Sequence, residues 1–271
     1  MPDDASPRTH RRRFLAAVTG SLPLALAGCL GGSDDGATDS STADPTTNTP
    51  EPTESDATTS EGTPETTDQP TTEPTTTQSA PRDVSFQSSA GETIEATLYG
   101  QGSCGLILVP QINLDRESWE PQARRWAEQG HLVAAIDEGE QKTAGVRAAV
   151  QYLTTEQGVS TVVLVGASAG GKAAIEAAAA ESAVSGVAGL SASGGADVAD
   201  QLDMRVFLAV SEGDADRFVQ TTKDVRARAG EPKELQLYDG SAHGQRLFDS
   251  DHADDLLARL DTFVEKSCVG Q

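Results

Sequence analysis

Cysteine, histidine and basic residues are all scarce in this chain. The three cysteines form no C-x-x-C pair, and no two of the four histidines are paired at helical spacing. We therefore predict no metal site and expect no cofactor. Lys and Arg number only 20 against 42 Asp and Glu, which gives a formal net charge of -22. This charge disfavours nucleic-acid binding.

The N-terminus carries a short apolar run, from Phe14 to Ala27, that would barely span a bilayer as a mature helix. Arg11-Arg12-Arg13 precedes it, as in twin-arginine export signals, and Leu26-Ala27-Gly28-Cys29 resembles a lipoprotein processing box. We therefore predict that residues 1–29 direct export and that a lipid on Cys29 anchors the protein to the extracellular face of the membrane. The alternative is a basic N-terminus with a chance cysteine.

Residues 30–81 contain almost no core-forming side chains and consist mainly of Thr, Ser, Pro, Gly, Asp and Glu. Such a segment cannot bury enough apolar surface to offset its conformational entropy, so it is predicted to be a disordered tether. Residues 82–271 then form one domain, with 16 Lys and Arg against 29 Asp and Glu. This acidic, aromatic-poor composition resembles proteins of salt-loving archaea, whose carboxylate surfaces stay hydrated in concentrated salt. An ordinary acidic protein is the alternative.

Short apolar runs alternate with amphipathic helical patterns throughout this domain. The predicted strands are 93–99, at a sheet edge, and 105–109, 132–136, 162–165, 187–190, 206–210 and 235–238. The predicted helices are 119–129, 143–155, 169–182, 217–229 and 251–266. The alternation predicts an α/β fold with a mostly parallel sheet of about seven or eight strands and helices on both faces. Residues 191–202 are too few for a large lid.

The segment Gly166-Ala167-Ser168-Ala169-Gly170 lies between a predicted strand and a predicted helix. A G-x-S-x-G at such a junction is the signature of a nucleophile elbow, a sharp turn that exposes the serine hydroxyl above the sheet. A serine hydroxyl is a weak nucleophile at neutral pH unless a base removes its proton and an acid orients that base. The motif therefore predicts acyl transfer with Ser168 as the nucleophile.

The acid and the base should follow the elbow in the order Asp or Glu, then His. His243 comes directly after the last predicted strand, in a glycine-containing loop, whereas His252 starts a helix and is expected to be a surface residue. Asp214 lies where the preceding strand ends, with Asp216 and Glu212 as rivals. The pattern thus predicts a triad of Ser168, Asp214 and His243.

Two other functions fit parts of the same segment. Gly166 to Lys172 also satisfies the phosphate-binding pattern G-x-x-x-x-G-K, but Ala173 follows where a magnesium-binding Ser or Thr is needed. A dinucleotide site fails because Ser168 replaces the middle glycine of G-x-G-x-x-G and no acid ends the next strand. A P-loop protein and a hydrolase-like fold that only binds ligands remain the alternatives.

Residues 84–266 resemble α/β-hydrolases and are most similar to small, lid-poor members of the dienelactone-hydrolase type. Ser211-Glu212-Gly213-Asp214 matches the strand-end Gly-x-x-Asp pattern of this family, with serine in place of the glycine. The resemblance implies a serine hydrolase acting on a carboxylic ester or a related acyl bond. We expect a monomer whose partners are a small-molecule ester and, through the lipid, the membrane.

The family also has a His-Gly turn after its third strand, whose backbone helps to bind the oxyanion. Pro110 stands here in place of that histidine and Gln111 in place of the glycine, and Arg116-Glu117-Ser118-Trp119 resembles the start of the next helix. The resemblance implies that Ile112 donates one N–H to the oxyanion. Ala169 donates the other at the N-terminus of a helix, whose dipole favours negative charge.

The fold implied by the resemblance also bears on the cysteines. Cys29 is expected to carry lipid, and the other two would meet an oxidising compartment, where pairing is the default. Cys104 precedes the third strand, and Cys268 ends the last helix, which in this fold returns to the edge of the sheet where the third strand begins. In this family the last helix also covers the same face of the sheet as the helix that follows the third strand. We therefore predict a disulfide between Cys104 and Cys268, with two unpaired thiols as the alternative.

Overall fold

The structure is a computed structural model that describes residues 80–269. The predicted export signal, the lipidation site Cys29 and residues 30–79 of the predicted tether lie outside the described residues. Within residues 80–269, no helix is both long enough and apolar enough to cross a membrane.

The described residues form eight strands and five α-helices. The strands are β1 (Arg82–Gln87), β2 (Thr93–Tyr99), β3 (Cys104–Val109), β4 (Leu132–Asp137), β5 (Thr161–Ala167), β6 (Val184–Leu190), β7 (Arg205–Ser211) and β8 (Lys233–Tyr238). The helices are α1 (Glu120–Glu128), α2 (Lys142–Thr155), α3 (Ser168–Ala178), α4 (Asp216–Arg228) and α5 (Ala253–Cys268). Three 3-10 helices cover Arg116–Trp119, Ala199–Gln201 and Gly244–Asp249.

All eight strands belong to one sheet with the order β1-β2-β4-β3-β5-β6-β7-β8. β2 pairs antiparallel with β1 and with β4, and every other neighbouring pair is parallel. The central strands are buried on both faces because they are nearly continuous runs of Val, Leu, Ile and Ala. This is the predicted α/β architecture.

Two helical layers cover the sheet. Strand side chains such as Ile107 and Leu164 pack with α2, α3 and α4 on one face. Leu106 and Val165 point to the other face, where they pack with α1 and α5. The tryptophans of this second layer, Trp119 and Trp126, are fully buried. Since the carboxyl ends of β3, β5, β6, β7 and β8 meet at one edge, the loops that follow them are brought together there.

One edge of the sheet differs from the prediction. We predicted strand 93–99 to be the edge, but β1 pairs with β2 over its full length and takes the edge position. Only Val84 and Phe86 of β1 are apolar, and both are partly buried, so β1 shows weak alternation and no apolar run. Edge strands have one unpaired side and tolerate such polar sequences.

The structure joins Cys104, at the start of β3, to Cys268, at the end of α5, by a disulfide with Cα atoms 5.6 Å apart. The ligand atoms of Cys104, Cys268 and His131 lie within 4.8 Å of one another. Because the two sulfurs are bonded to each other, they cannot serve as the thiolates that a metal requires.

Reduction of this bond is expected to destabilise the domain strongly. The bridge connects residues that are 164 positions apart, and the loop-entropy model assigns a bridge of this kind about 5 kcal/mol of unfolding free energy. Denaturant titration with and without reductant measures the loss, and intact mass should rise by about two daltons on reduction. Alkylation of both thiols without any reductant would contradict the pairing.

Candidate active site

The elbow forms because β5 runs directly into α3. β5 ends at Ala167 and α3 begins at Ser168. The φ of Ser168 is 49°, in the left-handed region that residues other than glycine rarely adopt. Two positions around this turn, 166 and 170, leave no room for a Cβ atom. A Cβ on Gly166 would lie 2.4 Å from the Gly170 carbonyl oxygen, and one on Gly170 would lie 2.3 Å from that of Pro110.

A chain of hydrogen bonds connects Ser168, His243 and Asp214. His243 Nε2 lies 2.9 Å from Ser168 Oγ, and His243 Nδ1 lies 2.8 Å from Asp214 Oδ2. Because an ionised carboxylate can only accept, the second bond is made when Nδ1 carries a proton, and in the neutral imidazole Nε2 can then accept the serine hydroxyl proton. This is the protonation pattern that general-base activation of a serine needs.

The structure separates the candidate acids. Asp214 is only 9% exposed, and its Oδ1 accepts the N–H of Ala215 at 2.7 Å. Asp216 is exposed at the start of α4, and Glu212 is exposed too. Only Asp214 of the three is hydrogen-bonded to His243.

The second downstream histidine is held elsewhere. His252 stacks on Tyr238, with ring centroids 4.9 Å apart, immediately before α5. It therefore plays a packing role at the end of β8 rather than contacting Ser168.

The two predicted oxyanion donors lie on segments that meet at the elbow. Ala169 is in the first turn of α3, and Ile112 is two residues beyond Pro110, whose carbonyl oxygen abuts Gly170. The Ile112 side chain is 61% exposed, so packing does not hold this residue in place. Its backbone belongs to a turn in which the Leu114 N–H donates to the Gln111 carbonyl oxygen at 3.1 Å.

A cavity of about 650 Å³ opens beside the elbow, next to Ala169 and Ser193. The rest of its lining is polar, charged or alanine: Glu140, Gln141, Lys142, Thr143, Ala144, Arg147, Lys172, Ala173 and Glu176. Ser193 is tied to the elbow, because its N–H donates to the Ser168 carbonyl oxygen at 3.0 Å. The polar pocket is therefore lined by the residue next to Ser168 and by a residue that bonds the Ser168 backbone.

The elbow geometry disfavours the phosphate-loop alternative. A phosphate-binding loop needs several residues between strand and helix to wrap around the anion, whereas no residue separates β5 from α3. The lysine of the pattern, Lys172, lies within α3, and its Nζ is 3.5 Å from Glu176 Oε1.

Sequence analysis missed two features of this site. Phe218, in the first turns of α4, lies against the His243 ring with centroids 4.1 Å apart. Gln111 and Gln245 form mutual hydrogen bonds between the loop after β3 and the loop that carries His243. A glutamine two residues after the histidine is the only local signal for this pair, and it does not identify the partner.

Comparisons with known proteins agree with this fold. An esterase from Pyrococcus furiosus is 13% identical and has a TM-score of 0.62, with 69% of this chain and 92% of that chain covered. The α/β hydrolase GrgF from Penicillium sp. is 15% identical and has a TM-score of 0.62, with 71% of this chain and 100% of that chain covered. A dienelactone hydrolase from Anabaena variabilis is 19% identical and has a TM-score of 0.57, with 67% of this chain and 95% of that chain covered. No similar protein was found among curated sequences.

The eight-stranded, mostly parallel sheet with its strand-to-helix elbow defines an α/β hydrolase. The sequence model of the Dienelactone hydrolase family matches residues 70–257, more than half of the chain. The chain therefore belongs to the dienelactone hydrolase family and is an esterase-type serine hydrolase.

Proposed function

We propose that this protein is a membrane-tethered extracellular enzyme that hydrolyses a carboxylic ester, or a related acyl bond, with Ser168, His243 and Asp214 as its triad. The observation that carries the proposal is the hydrogen-bonded chain from Ser168 Oγ through His243 to the buried Asp214. The extracellular location rests on the sequence of residues 1–29 and on the predicted lipid at Cys29.

In the proposed mechanism, Ser168 Oγ attacks the carbonyl carbon while His243 Nε2 accepts the hydroxyl proton. Asp214 holds the imidazole in the tautomer with Nδ1 protonated and stabilises its positive charge. The N–H groups of Ile112 and Ala169 donate to the oxyanion. His243 then protonates the departing alcohol, and an acyl group remains on Ser168. A water molecule, activated by His243, releases the acid in the second half of the reaction.

The polar lining of the cavity beside the elbow favours a polar substrate. None of the residues that line it is a large aliphatic or aromatic residue, and its cations carry partners: Lys142 contacts Glu138, and Arg147 contacts Glu181 at 2.7 Å. A long alkyl chain placed there would desolvate these charged groups without replacing their hydrogen bonds, which is unfavourable. We therefore propose that at least one side of the ester, acyl or alcohol, is short or hydrophilic.

A chain-length series tests this preference. An apolar pocket would raise kcat/KM about fourfold for each added methylene, the equivalent of about 0.8 kcal/mol. We expect no such gain in at least one of two series, p-nitrophenyl esters of increasing acyl length and acetates of increasing alcohol length. A steady fourfold gain per methylene in both series would contradict a polar pocket.

The proposed activity is tested by release of acid and alcohol from a panel of esters, thioesters and amides, assayed in dilute and concentrated salt. We expect saturable ester hydrolysis, with a rapid first turnover where release of the acyl group is slow. Turnover no faster than that of heat-denatured protein across the whole panel would contradict the proposal and favour a hydrolase fold that only binds.

A further inference from the structure

Two glutamines join the loops that follow β3 and β8. The backbone N–H of Gln111 donates to Gln245 Oε1 at 2.9 Å, and the backbone N–H of Gln245 donates to Gln111 Oε1 at 2.9 Å. The two residues are 134 positions apart and are linked by this symmetric pair of side-chain to backbone bonds. We call this arrangement the glutamine clasp. It lies between the segment that carries Ile112 and the segment that carries His243.

On the β3 side, the clasp holds Gln111, the residue whose carbonyl group forms the peptide bond with the Ile112 nitrogen. Gln111 is held at its own N–H and at the end of its side chain, and its carbonyl oxygen accepts the Leu114 N–H at 3.1 Å. Asn113 has a φ of 66°, as the third residue of a type II turn requires. In a trans peptide the N–H points opposite to the C=O. Once the Gln111 carbonyl faces into the turn, the Ile112 N–H faces out of it.

On the β8 side, the clasp holds the segment two residues beyond His243. Gln245 is buried, and its side-chain amide also donates to Ser118 Oγ at 2.9 Å, which leaves both ends of its amide group bonded. Gly244, which lies between His243 and Gln245 in the chain, has a φ of 59°, and a Cβ there would lie 2.4 Å from Gln111 Oε1. The close approach of the two loops therefore depends on glycine at this position.

We propose that Gln111 and Gln245 are positioning residues that hold the oxyanion donor Ile112 and the base His243 in a fixed relation to each other. The inference rests on the proposed function and adds two residues to it. Because Ile112 is exposed whereas the clasp bonds are partly buried and Gln245 is buried, the clasp and the turn, rather than packing, set the direction of the Ile112 N–H. A displacement of about 1 Å in such a group costs about 10²-fold in rate.

The test compares Gln111→Leu with Gln111→Glu. Leucine removes the oxygen that accepts the Gln245 N–H, whereas glutamate retains an oxygen at that place. We expect Gln111→Leu to lower kcat by about 10²-fold with little change in KM, and Gln111→Glu to recover most of this loss. Gln245→Leu should act like Gln111→Leu, and the double variant should be little worse than either single one, since both break one unit.

A second readout separates positioning from mere stability. A trifluoromethyl ketone forms an adduct with the serine that places an oxyanion in the hole, so its affinity should fall in parallel with kcat/KM in Gln111→Leu. Gln220→Leu is the matched control, because it removes a glutamine that bonds Asp224 at 2.8 Å on the exposed face of α4. Thermal unfolding of every variant shows how much stability each change costs.

Two outcomes decide the inference, and a third tests the proposed function on which it rests. A parallel loss of kcat and inhibitor affinity that glutamate restores supports it. A lower unfolding temperature with unchanged kcat in both leucine variants overturns it and leaves the clasp a structural bond only. If Ser168→Ala retains full activity, the proposed triad itself fails, and that result is distinguishable because it does not depend on either glutamine.

Discussion

Replacing Ser168 by alanine is expected to abolish ester hydrolysis, with a loss in kcat on the order of 10⁶-fold, as when the serine of a comparable triad is removed. Alanine keeps the Cβ and therefore adds no new contact at the elbow. The φ of 49° stays equally strained, so the unfolding temperature should hardly change. Steady-state kinetics and thermal unfolding of the same preparation measure both quantities.

Ser160→Ala is the matched control for this variant. Ser160 lies at the opposite end of β5, where its side chain and N–H both bond the Ser103 carbonyl oxygen, at 3.3 Å and 3.0 Å. We expect this control to keep full activity. Substantial turnover by Ser168→Ala, in a preparation free of other esterases, would remove Ser168 from the mechanism.

The identity of the triad acid is tested by substituting the two aspartates that follow β7, Asp214 and Asp216. Asp214→Asn should lower kcat by about 10⁴-fold, because an asparagine N–H in place of the carboxylate favours the wrong tautomer of His243. Asp216→Asn should change kcat little, since Asp216 is exposed and does not bond the imidazole. The comparison uses kcat at one pH with both variants shown to be folded, and the reverse ranking would assign the role to Asp216.

Much of this architecture could be predicted because its signals are local. The apolar runs of β3 to β7 and the helical patterns between them determine a parallel sheet, and parallel strands place the ends of successive strands at one edge. The G-x-S-x-G of the elbow, an acid after β7 and a histidine after β8 could therefore be assigned to that edge in advance. The catalytic roles of these residues stay predictions.

Other features depend on contacts that no local pattern encodes. β1 was missed because a partly exposed edge strand needs few apolar residues, and its partner supplies the hydrogen bonds. The glutamine clasp was missed because a glutamine in a loop is most often solvated, and only the folded chain shows which backbone N–H it meets. The position of Phe218 against His243 likewise arises from how α4 packs on the sheet.

The central claim is that Ser168 is an activated nucleophile, and covalent labelling tests it most directly. A fluorophosphonate reacts with a serine only where a base activates the hydroxyl and an oxyanion hole receives the phosphoryl oxygen. Peptide mass spectrometry after labelling should place one adduct on Ser168, and heat-denatured protein and His243→Ala should not be labelled. Absence of labelling in the native enzyme, or an adduct on any other serine, would contradict the account.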